Sequence, residues 1–331
     1  MQDNNTEAPR ASTAQVQQSS TRRLTLVYAC SMARFADWQE AFERVMPELQ
    51  VVAHGQVDDP AAVDYALVWQ PDTTFFAQYP NLRMVINQGA GVDALVQRED
   101  LPRVPTTRIV DPAMSQMMAG FVLFAVMRYA RHIHMHEHYQ RLGQWHYIHP
   151  RNPEDIRVSI LGLGELGAHA AGELMRQGFD VWGWSRTPKS IGGMTCRHGI
   201  DSLEEVLKRS DILVILMPLT SETRGLLNAR RLDQLPHGCC LINVARGPIV
   251  DEQALIERLR TGRVGHATLD VFEKEPLDAT SPLWKMDNVL ITPHLASVAM
   301  PRSAAGQIAQ NILRVEQGQE PLHQIFRDRG Y

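Results

Sequence analysis

Residues 156–189 read IRVSILGLGELGAHAAGELMRQGFDVWGWSRTPK. An apolar run (Ile156, Val158, Ile160, Leu161) leads into Gly162-x-Gly164-x-x-Gly167. A helical pattern follows to about Arg176, and a second apolar run covers 179–184. Strand, glycine turn, helix, strand is the setting that a dinucleotide-binding fingerprint requires. Gly162 allows the tight turn, Gly164 lets a pyrophosphate approach the backbone, and Gly167 lets helix and strand pack closely. The helix N-terminus offers unpaired N–H groups and a partial positive charge to phosphate. Gly162, Leu163, Gly164, Glu165, Leu166 and Gly167 are therefore expected cofactor contacts.

The end of the second strand reports which dinucleotide. An NAD site places an Asp or Glu there, about 20 residues on, to accept from the ribose 2′-hydroxyl. This chain has Ser185, Arg186, Thr187 and then Lys189. An acid would repel a 2′-phosphate; two hydroxyls and two cations bind one, and Arg forks onto phosphate oxygens. The expected cofactor is NADP(H), with NAD(H) as the alternative.

The chain has 331 residues, 44% hydrophobic and 21% charged, which suits two globular domains. A net charge of −4 gives no basic field for nucleic acid or an anionic membrane. The apolar run 121–127 is too short to span a bilayer. Residues 1–21 are polar, lack the apolar core of a signal peptide and read as a disordered tail. Cys30, Cys196, Cys239 and Cys240 have no metal or redox spacing, and read as thiols of a reducing cytoplasm.

Strand-like runs alternate with helical patterns, so an α/β architecture of two doubly wound parallel-sheet domains is expected. Strands are expected at 24–29, 51–53, 66–69, 84–87 and 106–109, with a helix at 37–46. After the fingerprint come strands at 212–216, 240–243, 264–269 and 289–291, then a helix at 301–317. A cofactor domain in mid-chain obliges the chain to cross between domains twice, near 111–116 and 294–300. The expected division is a flavodoxin-like substrate domain (22–111 plus 298–331) and a Rossmann cofactor domain (112–297), with a cleft between them.

Three expected strand ends in the second half carry polar residues: Arg246, then Asp270 and Glu275, then His294. In open α/β sheets ligands bind beyond such ends. Reduction of a ketone by hydride builds negative charge on oxygen, so a general acid must protonate it, and His suits that task. A carboxylate beside the His stabilises the imidazolium and fixes its orientation. An Arg holds a substrate carboxylate with two hydrogen bonds and polarises the ketone. His294 is thus the expected acid/base, Glu275 its partner, and Arg246 the anchor and electrophile.

Together the stretches GLGELG (162–167), NVARGPIVDEQAL (243–255), LDVFEKEPL (269–277), ITPHLAS (291–297) and NQGAGVD (87–93) resemble the D-isomer-specific 2-hydroxyacid dehydrogenase family. DYALVWQP (64–71), WSRTPK (184–189) and the terminal Arg-Gly-Tyr are similar to its bacterial A-type glyoxylate/hydroxypyruvate reductases. The resemblance implies that Arg246, Glu275 and His294 are catalytic. It implies that the N–H groups of Ala90, Gly91 and Val92 hold the substrate carboxylate and that Trp69 lines the pocket. It places Met217, Pro218, Leu219 and Thr220 beside the adenosine and nicotinamide ribose, with Thr223 and Ala245 on the same cofactor face, and Asp270 on the nicotinamide carboxamide. Gly120 departs from many relatives, which carry Glu there. The implied reaction is NADPH-dependent reduction of glyoxylate to glycolate and hydroxypyruvate to D-glycerate.

The run RHIHMHEH (131–138) has metal-like spacing, since on a continuous helix His132 and His136 would share one face and His134 and His138 another. It is read instead as a helix running on into an arm, and no metal is expected. The resemblance implies a homodimer in which the helix 112–138 and the arm 139–150, with Trp145, Tyr147 and Ile148, pack across a twofold. Met114, Met117, Met118 and Met127 read as core or interface filler. Two alternatives stand beside the small-2-oxoacid reductase: a dehydrogenase for a larger D-2-hydroxyacid, and a non-catalytic dinucleotide sensor on the same scaffold.

Overall fold

The computed structural model describes residues 22–30 and 34–326. The expected tail 1–21 and the terminal Arg329–Tyr331 lie outside the described residues.

Two parallel sheets organise the chain. The first has the order β2-β1-β3-β4-β5, with β1 Thr25–Ala29, β2 Gln50–Ala53, β3 Tyr65–Val68, β4 Met84–Asn87 and β5 Thr106–Arg108. The second has the order β12-β11-β10-β9-β6-β7-β8. Its strands are β6 Arg157–Leu161, β7 Asp180–Ser185, β8 Thr195–His198, β9 Ile212–Ile215, β10 Cys239–Asn243, β11 Val264–Leu269 and β12 Val289–Ile291. Each order reverses once, between β1 and β3 and between β6 and β9, and ligands bind at such reversals. Strands β1, β3, β4 and β9 are buried along almost their whole length, as parallel strands covered on both faces must be.

The helices are α1 Phe35–Val45, α2 Asp93–Val96, α3 Pro112–Ala130, α4 Ile133–Arg141, α5 Glu165–Arg176, α6 Leu203–Arg209, α7 Ala229–Leu232, α8 Glu252–Arg260 and α9 Pro301–Glu316. α1 buries Trp38, Ala41 and Phe42, one helical stripe, against a core that also takes Ala304, Ala305, Ile308 and Ile312 of α9. The last helix therefore packs on the first sheet. α3 opens with Pro112 at its first turn, and the Asp111 carboxylate accepts from the Ala113 N–H. Its 19 residues meet the length and composition of a membrane span, which the run 121–127 alone did not suggest. Here it serves as a core helix: Val122, Ala125 and Val126 pack with Ala170, Ala171 and Leu174 of α5, whose small residues permit close approach.

The expected helix through 138 is interrupted. His132 adopts a left-handed backbone (φ 53°) between α3 and α4. The break takes His132 off the helix that carries His136, and His134, in the first turn of α4, turns inward to 4.0 Å in ring-centroid distance from His266, while His138 one turn on is exposed. Tyr129 packs on both rings, and its hydroxyl hydrogen-bonds Thr268 Oγ1 at 2.7 Å. Burial, with the neighbouring His134 and Arg128, holds the pKa of His266 down at about 4. The unfolded chain protonates this imidazole near its ordinary value of about 6.5. Between those values the unfolded state binds more protons, so this group lowers stability as pH falls, by at most ~1.4 kcal/mol per pH unit. In urea titrations at about pH 7 and about pH 5, His266→Gln is expected to lose less stability on acidification than the wild type. Parallel losses in the two proteins would contradict this.

Candidate active site

The glycine turn supplies a floor for a phosphate. Gly162 has φ +112°, and a Cβ there would lie 2.6 Å from the Leu216 and Met217 backbone, so only glycine fits. A Cβ on Gly167 would collide with the Gly162 carbonyl, so α5 packs against its own turn through bare backbone. At Gly164, the N-cap of α5, a Cβ meets nothing within 4 Å. That residue has no side chain to cap the helix, and the first-turn N–H groups face the cleft unobstructed. Backbone and open space together fit a dinucleotide pyrophosphate.

A cavity of about 630 Å³ lies between the carboxyl ends of the two sheets. It brings together Gly164–Gly167, Met217–Leu219, Ala245, Arg246, Asp270 and His294 from the second sheet with Trp69 and Ala90–Val92 from the first. Gly162, Leu163, Ser185, Arg186, Thr187, Lys189 and Thr223 stand outside its wall. Ser185 ends β7 and Arg186, Thr187 and Lys189 follow it; the Ser185 hydroxyl donates to the Thr187 carbonyl (2.8 Å) and Arg186 pairs with Glu222 (3.1 Å). Thr223 Oγ1 donates to the Pro218 carbonyl (2.7 Å) and accepts from the Thr220 N–H (2.8 Å), which folds the 217–223 loop on itself.

His294 follows β12 with a left-handed backbone (φ 53°). Asp270 holds that loop: Oδ1 accepts from Thr292 Oγ1 (2.6 Å) and the Leu295 N–H (2.9 Å), and Oδ2 from the Ala296 N–H (2.9 Å). Asp270 is 1% exposed, and these three donors offset the cost of burying its charge. Glu275 sits behind His294, with Oε2 2.7 Å from Nδ1, and its Oε1 accepts from the Phe272 N–H (3.0 Å). Burial opposes charge on Glu275; the His294 and Phe272 hydrogen bonds and the Arg246 charge outweigh it and hold the carboxyl below the usual range. The ionised carboxylate only accepts, so His294 Nδ1 carries the hydrogen and Nε2 is left for the cleft. The Trp69 ring stands edge-on to the imidazole, centroids 6.0 Å apart.

Arg246 follows β10. Asn243 braces the turn, its Nδ2 donating to the Arg246 carbonyl (3.0 Å) and its Oδ1 accepting from the Ala245 N–H (3.1 Å). The guanidinium Nε donates to Asp93 Oδ1 at 2.9 Å, across the cleft and 153 residues away in sequence. It presses so closely on Gly91 that a Cβ there would collide with it. Asn87 Nδ2 donates to the Gly89 and Gly91 carbonyls (2.8 and 2.9 Å) and so shapes the 89–92 loop. Asp93 and Asn87 went unnoticed in the sequence; the only hint is their place at the two ends of NQGAGVD.

Residues 123–296 match the profile of the D-isomer specific 2-hydroxyacid dehydrogenase NAD binding domain. The glyoxylate/hydroxypyruvate reductase A of Serratia proteamaculans is 38% identical over 301 residues, 89% of this chain and 96% of the relative. A D-isomer specific 2-hydroxyacid dehydrogenase from Xanthobacter autotrophicus Py2, crystallised with NADPH and MES, is 57% identical. It superposes with a TM-score of 0.88 over 93% of this chain and 100% of its own. The NADPH-dependent glyoxylate/hydroxypyruvate reductase of Sinorhizobium meliloti, crystallised with NADP and sulfate, is 32% identical with a TM-score of 0.88 and the same coverage. The chain belongs to the D-isomer specific 2-hydroxyacid dehydrogenase family. It is an NAD(P)-dependent oxidoreductase.

Proposed function

We propose that this chain reduces small 2-oxoacids with NADPH, converting glyoxylate to glycolate and hydroxypyruvate to D-glycerate. The observation that carries the reading is that His294, backed from outside the cavity wall by Glu275 at 2.7 Å, lines one cavity with Arg246 and the 89–92 loop. The relatives from Serratia and Sinorhizobium, both named glyoxylate/hydroxypyruvate reductases, support it.

Gly162–Gly167 with the N-terminus of α5 would hold the pyrophosphate; Met217, Pro218 and Leu219, on the loop that Thr223 braces, would flank the adenosine and nicotinamide ribose, and Ala245 and Asp270 would face the nicotinamide. When bound, the dinucleotide supplies the hydride. The N–H groups of Ala90, Gly91 and Val92 receive the substrate carboxylate, and Arg246 anchors it while drawing charge toward the carbonyl oxygen. His294 Nε2 delivers a proton to that oxygen, and Glu275 behind it steadies the imidazolium. Trp69 closes the far side and limits substrate size.

The two chain crossings are tied to each other and would act as the hinge of closure. The Ser303 hydroxyl donates to Asp111 (2.5 Å), and the Ser297 hydroxyl to the Met114 carbonyl (2.9 Å). Leu142, Trp145 and Tyr147 are exposed on the segment after α4, with Trp145 wholly so, which supports a homodimer that covers this arm. The free thiols support a reducing, cytoplasmic setting.

Initial rates with NADPH and NADH, each against glyoxylate, hydroxypyruvate and a branched 2-oxoacid, test the reading. Fast NADPH-dependent turnover of the two small acids is expected. Preference for the branched acid would move the assignment to a larger D-2-hydroxyacid; cofactor binding with no turnover would move it to a dinucleotide sensor. Arg186→Ala is expected to raise KM for NADPH by ~10-fold or more and to leave KM for NADH unchanged, as removal of a phosphate partner should. Equal change for both cofactors would remove Arg186 from the 2′-phosphate site.

A further inference from the structure

We propose that Arg108 binds a second anionic group on the substrate, so that the cleft takes 2-oxoacids carrying a carboxylate or phosphate beyond the oxoacid end. The inference rests on the reductase reading above and specifies its substrate class.

Arg108 ends β5 and lines the cavity. Its backbone is fixed on both sides: the N–H donates to the His323 carbonyl (3.2 Å), and the carbonyl accepts from Gln307 Nε2 (3.3 Å). Its guanidinium is partly buried, and its hydrogen bond among the described residues is a long one, Nη1 to the Ala90 carbonyl at 3.4 Å. Among the described residues it has no carboxylate within ion-pair distance.

The acids along the same wall are already engaged. Asp37 pairs with Arg34 and Asp93 with Arg246. Asp111 accepts from Ala113 and Ser303, and Asp270 from three donors. Glu165 faces the Ser115 hydroxyl at 3.5 Å. Arg246, the expected carboxylate anchor, keeps one side chain edge on Asp93. Among the described residues, Arg108 thus brings to the cleft a positive charge that no carboxylate contacts. Withdrawing a cation from water without a partner costs free energy, and an anion from the ligand recovers it. The planar fork suits carboxylate and phosphate alike.

Its position separates the two tasks. Arg246 reaches Gly91 from the second sheet, whereas Arg108 reaches Ala90 from the strand beside β4. A monocarboxylate is satisfied by the loop N–H groups and Arg246. The guanidinium at Ala90 is then in excess unless the ligand carries more charge.

The test compares kcat/KM of wild type, Arg108→Met and Arg108→Lys on glyoxylate, oxaloacetate and 3-phosphohydroxypyruvate, with NADPH saturating. Arg108→Met is expected to lose at least ~10-fold on oxaloacetate, on the phosphoester or on both, chiefly through KM, and to stay within about 2-fold on glyoxylate. Arg108→Lys should recover part of the loss. Whichever dianion responds identifies the group as carboxylate or phosphate. Equal loss on glyoxylate and both dianions would make Arg108 a prop for the 89–92 loop and overturn the proposal. No loss on any substrate, or a change confined to KM for NADPH, would overturn it too. Calorimetric titration of D-malate and of glycolate into the NADP-bound protein separates this from failure of the reductase reading. Arg108-dependent binding of D-malate without turnover of any 2-oxoacid would sink the reaction and keep the site; D-malate binding indifferent to Arg108 would sink the site.

Discussion

Replacing His294 with Gln is expected to lower kcat by about 10²- to 10⁴-fold, the range that a positioned general acid contributes. Gln keeps a polar side chain of similar reach but transfers no proton. Because Nδ1 is committed to Glu275 at 2.7 Å and the backbone is held by Asp270, the rest of the site should survive the change. NADPH affinity, read by fluorescence titration, is expected to stay within about 2-fold, since His294 contributes nothing to the phosphate-binding turn. Glu275→Gln should give a smaller loss, because it removes orientation and charge but not the proton donor. The sign of its titration is fixed: a carboxyl held below its usual range stays ionised as pH falls and loses its charge only below the ordinary carboxylate value, about 4.3. Ionisation of Glu275 therefore adds no break to the kcat/KM profile in the neutral range. Retained turnover in His294→Gln would overturn the assignment.

The second large effect is expected at Arg246. Arg246→Lys keeps the charge and still should lower kcat/KM by about 10²- to 10³-fold, comparable to removing a preorganised donor from an oxyanion site. The guanidinium performs two tasks at once: Nε donates to Asp93 while the other edge presses on Gly91, where the substrate carboxylate is proposed to bind. An ammonium is a point charge on a flexible stem and cannot divide itself this way. Asp93→Asn distinguishes anchor from positioning residue. It should raise KM for the oxoacid more than it lowers kcat, because Arg246 keeps its charge and loses only its fixed orientation. If Lys at 246 supported near-normal kcat/KM, the fork would be dispensable and the carboxylate anchor would have to lie elsewhere.

How much was legible in the sequence depended on how local the cause was. The glycine turn and α5 follow from residues within one turn of each other, and the helix ends at Arg176 as its pattern predicts. β4, β11 and β12 also keep their expected limits; β4 and β12 are built mainly of apolar residues, and β11 alternates Val264, Ala267 and Leu269 with smaller or polar residues. β8, Thr195–His198, escaped notice: it is a partly exposed edge strand whose residues, Thr-Cys-Arg-His, make no apolar run. The break at His132 escaped as well, since it carries neither Gly nor Pro. At the site, Arg246, Glu275 and His294 stood out because each follows an apolar strand. Asp93 did not, because its partner lies 153 residues away and only the meeting of two sheets brings them together. Arg108 was not singled out either, since it lies inside the expected strand 106–109 and only the fold sets it on the cavity wall.

The most direct test of the account is a single turnover with NADPH deuterated at the reactive C4 position and hydroxypyruvate as acceptor, the product read by NMR. D-glycerate carrying one deuterium at C2 is expected, with a slowed NADPH oxidation phase in stopped flow. Product without deuterium at C2, or oxidation of NADPH that does not depend on hydroxypyruvate, would contradict it.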